Sequence, residues 1–170
     1  MKKTCLVCLF FCFMGCAVHA QNIGGIWLSG SSIIGDGTGI HNGETQVLSL
    51  EDSVVNIIAA SGGAGTGKLI LGNLKFKKSL NANSVSLFSS ASRGITLPNL
   101  VFKFYERKLN GFFIPSLTIT LSNVIVVKYK ISSPDSAAVP TSEEISLLYE
   151  KIQFSDNAGN SSMTNAGARF

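Results

Sequence analysis

Strict alternation of apolar and polar residues dominates the C-terminal half of the chain. Between Ser116 and Ile131 the odd positions carry Leu117, Ile119, Leu121, Ile125, Val127, Tyr129 and Ile131, and the apolar row is interrupted only by Asn123. The even positions carry Thr118, Thr120, Ser122, Lys128 and Lys130. A period of two with one apolar face predicts a long β-strand buried on one side. The same rule predicts strands over Glu144–Phe154 and over Ile95–Lys108, the latter with Leu100, Phe102 and Phe104 facing away from Lys103 and Tyr105. It predicts another over Lys68–Lys78, where Ile70, Leu74 and Phe76 oppose Lys75 and Lys77. Upstream, Ile23–Ser29, around the only tryptophan, Trp27, reads as the first strand. Thr45–Ile58 reads as the next, with Leu48, Leu50 and Val54 on one register.

The period changes once. Val85, Phe88 and Ala91 at steps of three, with Leu87 four before Ala91, predict one helix over 82–93 whose stripe faces the sheets. Asn81 or Asn83 is its expected N-cap and Gly94 its terminator. Serines at 84, 86, 89, 90 and 92 are mediocre helix formers, so the helix is expected to depend on packing. Glycines at 35, 37, 39 and 43 after Gly30 predict a loop outside the core over 31–43, and Ala59–Gly67 a second one. Asn110-Gly111 predicts a hairpin turn. Pro134 and Pro140 mark a loop before the last strand, and from Asp156 onward the composition predicts a disordered tail. Several strands with one helix in this order predict a mainly β domain, most simply a closed or nearly closed barrel. Its expected extent is residues 21–155, between a leader (1–20) and the tail (156–170).

The leader has three parts: basic Lys2 and Lys3, an apolar run from Cys5 to Gly15, and the small-residue site Val18-His19-Ala20. This is the pattern of a secretory signal peptide cleaved after Ala20, and it predicts an exported protein, periplasmic or secreted. The apolar run is shorter than the roughly 20 residues that span a bilayer, which argues against an uncleaved anchor. Gly15-Cys16 leaves lipid attachment at Cys16 as an alternative, although the usual Leu three positions upstream is replaced by Phe13. All four cysteines, at 5, 8, 12 and 16, lie in the leader, so cleavage after Ala20 excludes both a disulfide framework and a thiol nucleophile. The remaining chain, about 150 residues, is long enough to be held by its core alone.

Charge adds little. Without Lys2 and Lys3, twelve basic residues stand against ten acidic ones, too mild a balance to imply nucleic acid. Lys75, Lys77 and Lys78 alternate with Leu74 and Phe76 and are assigned to the wet face of a strand. Gly62–Lys68 has the glycines of a phosphate loop, but Leu69 stands where Ser or Thr would hold magnesium, and a strand rather than a helix follows, so no nucleotide is expected. His41, the single histidine outside the leader, is assigned a turn or loop-packing role, and no cluster of metal ligands is present. No Gly-x-Ser-x-Gly elbow occurs. Glu51-Asp52 and Glu143-Glu144 are sequence neighbours that alternate faces in strands, and are expected at solvated strand ends. No catalytic, cofactor-binding or metal residue is assigned, and the chain reads as a non-enzyme.

The wording of the late strands adds a further expectation. Leu117-Thr-Ile-Thr-Leu121 through Val124, and Ile145-Ser-Leu-Leu-Tyr149-Glu-Lys-Ile-Gln-Phe154, resemble the corresponding strands of the haemolysin-coregulated protein (Hcp) family, the tube subunit of bacterial type VI secretion. Gly39–Ser49 and Gly67–Gly94 resemble earlier parts of the same family, so the likeness covers most of residues 26–154. Asn81 stands where the family usually has Asp, and Val85 where Pro often follows Ser. The resemblance implies a β-barrel of two antiparallel sheets with one α-helix packed alongside. It also implies a non-catalytic tube subunit that self-associates into a hexameric ring, with other secretion-system or envelope proteins as further partners and no cofactor. The leader departs from the family, whose members assemble in the cytoplasm. It keeps open a monomeric extracellular binding module, or a secreted effector, built on the same barrel.

Overall fold

The computed structural model describes residues 24–57, 68–133 and 141–165. Along the chain lie β1 (Gly25–Ser29), a 3-10 turn (Gly39–His41), β2 (Thr45–Glu51), β3 (Val54–Ile57), β4 (Lys68–Leu71) and β5 (Leu74–Ser79). There follow α1 (Ser84–Arg93), β6 (Leu97–Arg107), β7 (Phe113–Ser132), β8 (Ser142–Asp156) and β9 (Ser161–Asn165). One antiparallel sheet runs β5-β2-β1-β6-β7-β8-β9, and β5 also pairs with β8, which closes the first six of these strands into a barrel. β3 and β4 form a separate two-stranded hairpin. The chain thus forms the mainly β barrel with one helix that its pattern predicts.

Closure leaves the six barrel strands without a free barrel edge and lets each of them aim one row of side chains inward. Leu28, Val47, Leu74, Phe76, Leu100, Phe102, Ile119, Leu121, Val124, Ile145, Leu147 and Tyr149 meet in one core, joined by Leu87 from α1. Each such apolar side chain contributes about 1.5–3 kcal/mol by leaving water.

The departures from simple alternation have local causes. Thr45–Ile58 is two strands rather than one, turning at Asp52-Ser53. Leu48 is the extra residue of a bulge, since Val47 pairs with Lys78 and Ser49 with Lys77, so Thr45 and Val47 face inward while Leu48 and Val54 are exposed. Lys68–Lys78 is likewise two strands, broken at Gly72-Asn73, with Leu71 rather than Ile70 buried. In β7 the buried row runs Ile119, Leu121 and then Val124, Val126, so it changes parity at Asn123, whose φ is +51°. β8 changes parity at the same level, between Tyr149 and Ile152, and Asn123 donates a hydrogen bond to Glu150 across the step. Because both strands switch together, the ladder register is unchanged there.

The helix begins at Ser84 with Asn83 as N-cap, and ends on Gly94, whose φ of +62° is the left-handed conformation of a helix terminator. Its buried residues are Ser84, Leu87 and Ser90, with Ala91 partly covered, whereas Val85 and Phe88 are exposed. The helix is therefore turned away from the orientation its apolar stripe predicts. Asn110-Gly111 lies in a wider turn than a two-residue hairpin: Gly111 donates to the Lys108 carbonyl and Lys108 to that of Phe112.

One expected loop and part of the expected tail are more ordered than predicted. In the 31–43 segment Ile33 enters the core and His41 is buried. Gly35 and Gly37 have no room for a side chain, because a Cβ would lie 2.2 Å from the Glu44 carbonyl oxygen and 2.3 Å from that of His41 respectively. The expectation of a disordered tail over 156–170 is corrected in part. Asp156 caps a turn by accepting from the Ala158 and Asn160 amides, and Ser161–Asn165 then pairs with β8. The leader, the whole Ala59–Gly67 loop, Pro134–Pro140 and residues 166–170 lie outside the described residues.

Candidate functional site

Two buried polar clusters and one apolar cleft hold most of the chemistry the described residues offer. The first cluster surrounds His41. Trp27 alternates with Ile26 and Leu28, so its ring lies on the outside of the barrel wall, and the 31–44 segment covers it. The His41 ring stacks on Trp27 with centroids 3.7 Å apart and an interplanar angle of 5°, and meets the edge of Tyr105 at 4.4 Å. His41 Nδ1 lies 2.9 Å from Glu44 Oε2, while Glu44 Oε1 accepts from Lys103 Nζ at 2.6 Å and from the Tyr105 hydroxyl at 3.5 Å. The hydrogen bond to Glu44 pushes the Lys103 ammonium above its ordinary range. Burial, then the Glu44 charge, pushes up the Tyr105 phenol. The geometry agrees with the loop-packing role: an imidazole sandwiched between aromatic rings and held by a buried carboxylate pins the loop to β1 and β6.

The second cluster is one that the pattern should have revealed. Lys78 and Glu143 are directly opposed partners on β5 and β8, both aimed inward, and neither side chain is exposed to solvent. Lys78 Nζ lies 2.8 Å from Glu143 Oε2, and also donates to the Ser79 carbonyl, Asn81 Oδ1 and Ser84 Oγ at 3.0, 2.7 and 3.0 Å. Tyr129 on β7 donates to Glu143 Oε1 at 2.7 Å. Asn81 in turn donates to Asp36 at 2.8 Å, and Asn83 to Thr45. Burial draws the Lys78 ammonium below its ordinary range, opposed by Glu143. Burial, then the bond to Glu143, pushes the Tyr129 phenol far up.

The assignment of Lys78 to a wet face and of Glu143 to a solvated strand end is therefore corrected. Lys78 shares parity with Leu74 and Phe76, and Glu143 with Ile145 and Leu147; that shared parity was the available signal. The Ser84–Lys78 contact has the atoms of a serine–lysine dyad, but the lysine is engaged by a carboxylate and three further acceptors. It ties β5, β7, β8 and the start of α1 together.

The other sequence-assigned residues do not converge. Lys75 and Lys77 are exposed, as expected. Glu144 pairs with Lys128 at 3.0 Å, which lowers its carboxyl. Asp52 accepts from the buried Tyr149 hydroxyl at 3.0 Å, whereas Glu51 is exposed near Lys75. Among the described residues no group of three or more His, Cys, Asp or Glu side chains gathers to hold a metal. At one end of the barrel a cleft of about 370 Å³ is lined by Ile40, His41, Phe112 and Phe113, and Ile40 and Phe112 are largely exposed there.

Against this geometry, the family model described as "Type VI secretion system effector, Hcp" matches residues 23–155, most of the chain and the whole closed barrel. The chain belongs to the Hcp family. The Hcp1 protein of E. coli EAEC 042 is similar in fold, with a TM-score of 0.72 at 24% identity, covering 84% of this chain and 97% of that one. Hcp1 of Salmonella typhimurium superposes with a TM-score of 0.66 at 22% identity over 82% and 91% of the two chains. Hcp1 of Flavobacterium johnsoniae does so with 0.58 at 16% over 82% and 99%. No curated protein matches the chain in sequence. As an Hcp protein the chain is a structural secretion-system component, and no arrangement among its described residues points to catalysis. Its departure at Asn81, where the family resemblance has Asp, places an amide rather than a second carboxylate beside the Lys78 ammonium.

Proposed function

We propose that this chain is an exported, non-catalytic tube or ring subunit that self-associates into a hexameric ring. In this reading residues 1–20 act as a signal peptide cleaved after Ala20, and the mature protein is periplasmic or secreted, where secretion-system or envelope proteins are its further partners. The observation that carries the reading is the family match over the whole closed barrel. A barrel without free edges, stiffened by a buried ion pair, suits a repeating structural unit. The exposed apolar surface around Phe112 and Ile40 suits contact with other subunits. Neither buried cluster needs a cofactor, nucleotide or nucleic acid to satisfy its charges.

Light scattering on residues 21–170 over a range of concentrations tests it. A hexamer-sized particle is expected. A strict monomer at high concentration overturns the ring and leaves a binding module or secreted effector built on the same barrel.

A further inference from the structure

The last strand lies beyond the segment that matches the family. β9 begins at Ser161, whereas the match ends at residue 155, and β9 pairs only with Lys151–Ser155 of β8. β5 occupies the same edge of β8 further back, over Ser142–Leu147, so β9 continues the line of β5 without joining the barrel. It buries almost nothing: Ser161, Ser162, Met163 and Asn165 are exposed, Met163 at 55%, and only Thr164 is partly covered. Its hold on β8 is therefore mainly the backbone ladder.

The far edge of β9 has no neighbouring strand among the described residues. Natural sheet edges are blunted by charge, proline or a bulge. Ser161–Asn165 contains no charged residue and no proline, and its ladder with β8 runs without a register shift. Such an edge is a template for an added antiparallel strand, recognised through main-chain hydrogen bonds.

The strand is also complementary to itself. Placed antiparallel about Met163, two copies set Met163 against Met163, Ser162 against Thr164 and Ser161 against Asn165. That gives one apolar contact on the dyad, small polar pairs beside it and no like charges opposed. We propose that the free edge of β9 pairs with the β9 of a second copy of this chain about a two-fold axis through Met163, joining two barrels by a continuous sheet. This contact is separate from the ring, because a two-fold pairing uses one patch on both copies, whereas a ring needs two different ones.

The placement of every native cysteine in the leader makes the test simple. In the full chain carrying Cys5→Ser, Cys8→Ser, Cys12→Ser and Cys16→Ser, single cysteines are introduced and oxidised mildly. Directly opposed antiparallel residues lie about 4.5–5.5 Å apart at Cα, within reach of a disulfide. Met163→Cys is expected to give linked dimer about tenfold above Ser92→Cys, an exposed helix control, because pairing raises the local thiol concentration. Ser161→Cys alone is expected to stay at the control level, since four residues of offset separate its copies by about 13 Å. An equal mixture of Ser161→Cys and Asn165→Cys chains is expected to link. Met163→Cys at the control level, or Ser161→Cys alone linking as well as the mixture, overturns the proposal. Light-scattering mass, read on the same samples, keeps the fate of the ring distinct from that of this pairing.

Discussion

At the scale of single residues, the decisive pair is Lys78 and Glu143. Desolvating two charges is expensive, and the structure offsets it by giving the ammonium four partners and the carboxylate two. Removing one member strands the other. Glu143→Gln or Lys78→Met is therefore expected to cost about 3–5 kcal/mol in urea unfolding. The double replacement Lys78→Met with Glu143→Leu should cost clearly less than the sum, because no uncompensated charge remains. Additive losses would show that the two side chains are not a unit. The pair was legible in the sequence only as parity: counting inward from Leu74 and Phe76 lands on Lys78. Its charge argued the other way, because an unpaired lysine belongs in water and the partner lies 65 residues downstream in the numbering. The bonding of His41 was not legible at all, since nothing local announces that Trp27 and Glu44 converge on it.

Elements carry the next layer. Alternation located nearly every strand, and the change to steps of three and four located the helix, but alternation failed wherever a local irregularity moved the period. The Leu48 bulge and the parity step at Asn123 each shift a row of side chains by one residue, and neither has a sequence signal stronger than one polar residue in an apolar row. The helix failed differently. Val85 and Phe88 supply a stripe as good as the one formed by Ser84, Leu87 and Ser90, yet it is the serine side that faces inward, where Ser84 accepts from the buried Lys78. Packing thus overrides the stripe. Leu87→Ala should cost about 2–5 kcal/mol, whereas Val85→Ala, on the exposed face, should stay within about 0.5 kcal/mol; comparable losses in thermal unfolding would reverse the assigned face. Asn123 makes a second test. A β-branched residue at φ +51° is strained, so Asn123→Val should lose about 1–2 kcal/mol although valine is the better strand former. Asn123→Gly should lose less, and a stabilised valine variant would refute the left-handed step.

At the scale of the whole molecule, the titrating groups link separate walls of the barrel, so the pH dependence of global unfolding reads them together. Tyr129 joins β7 to β8, Tyr105 and Lys103 join β6 to the loop over Trp27, and Lys78 joins β5 to β8. The Tyr129 and Tyr105 phenols are both raised above the ordinary 10.0, and Lys103 above the ordinary 10.5. For each, the unfolded chain releases its proton first as pH climbs. The stability tied to these groups is fully present below the ordinary value and drains away as pH rises toward the folded one. Lys78 works in the opposite sense. Its folded form gives up the proton early, so across the interval below 10.5 it makes stability rise with pH. That contribution is complete once the unfolded lysine has also lost its proton, while the loss from the phenols continues. Unfolding free energy should therefore fall above about pH 10, each raised phenol adding up to about 1.4 kcal/mol per pH unit. Tyr129→Phe is expected to start less stable by about 1–3 kcal/mol, because Glu143 loses a buried donor. It should then fall more gently than the parent between pH 10 and 11. Urea unfolding at pH 8, 10 and 11 distinguishes the outcomes: converging curves place the Tyr129 phenol inside the wall as described, and parallel ones place it in water.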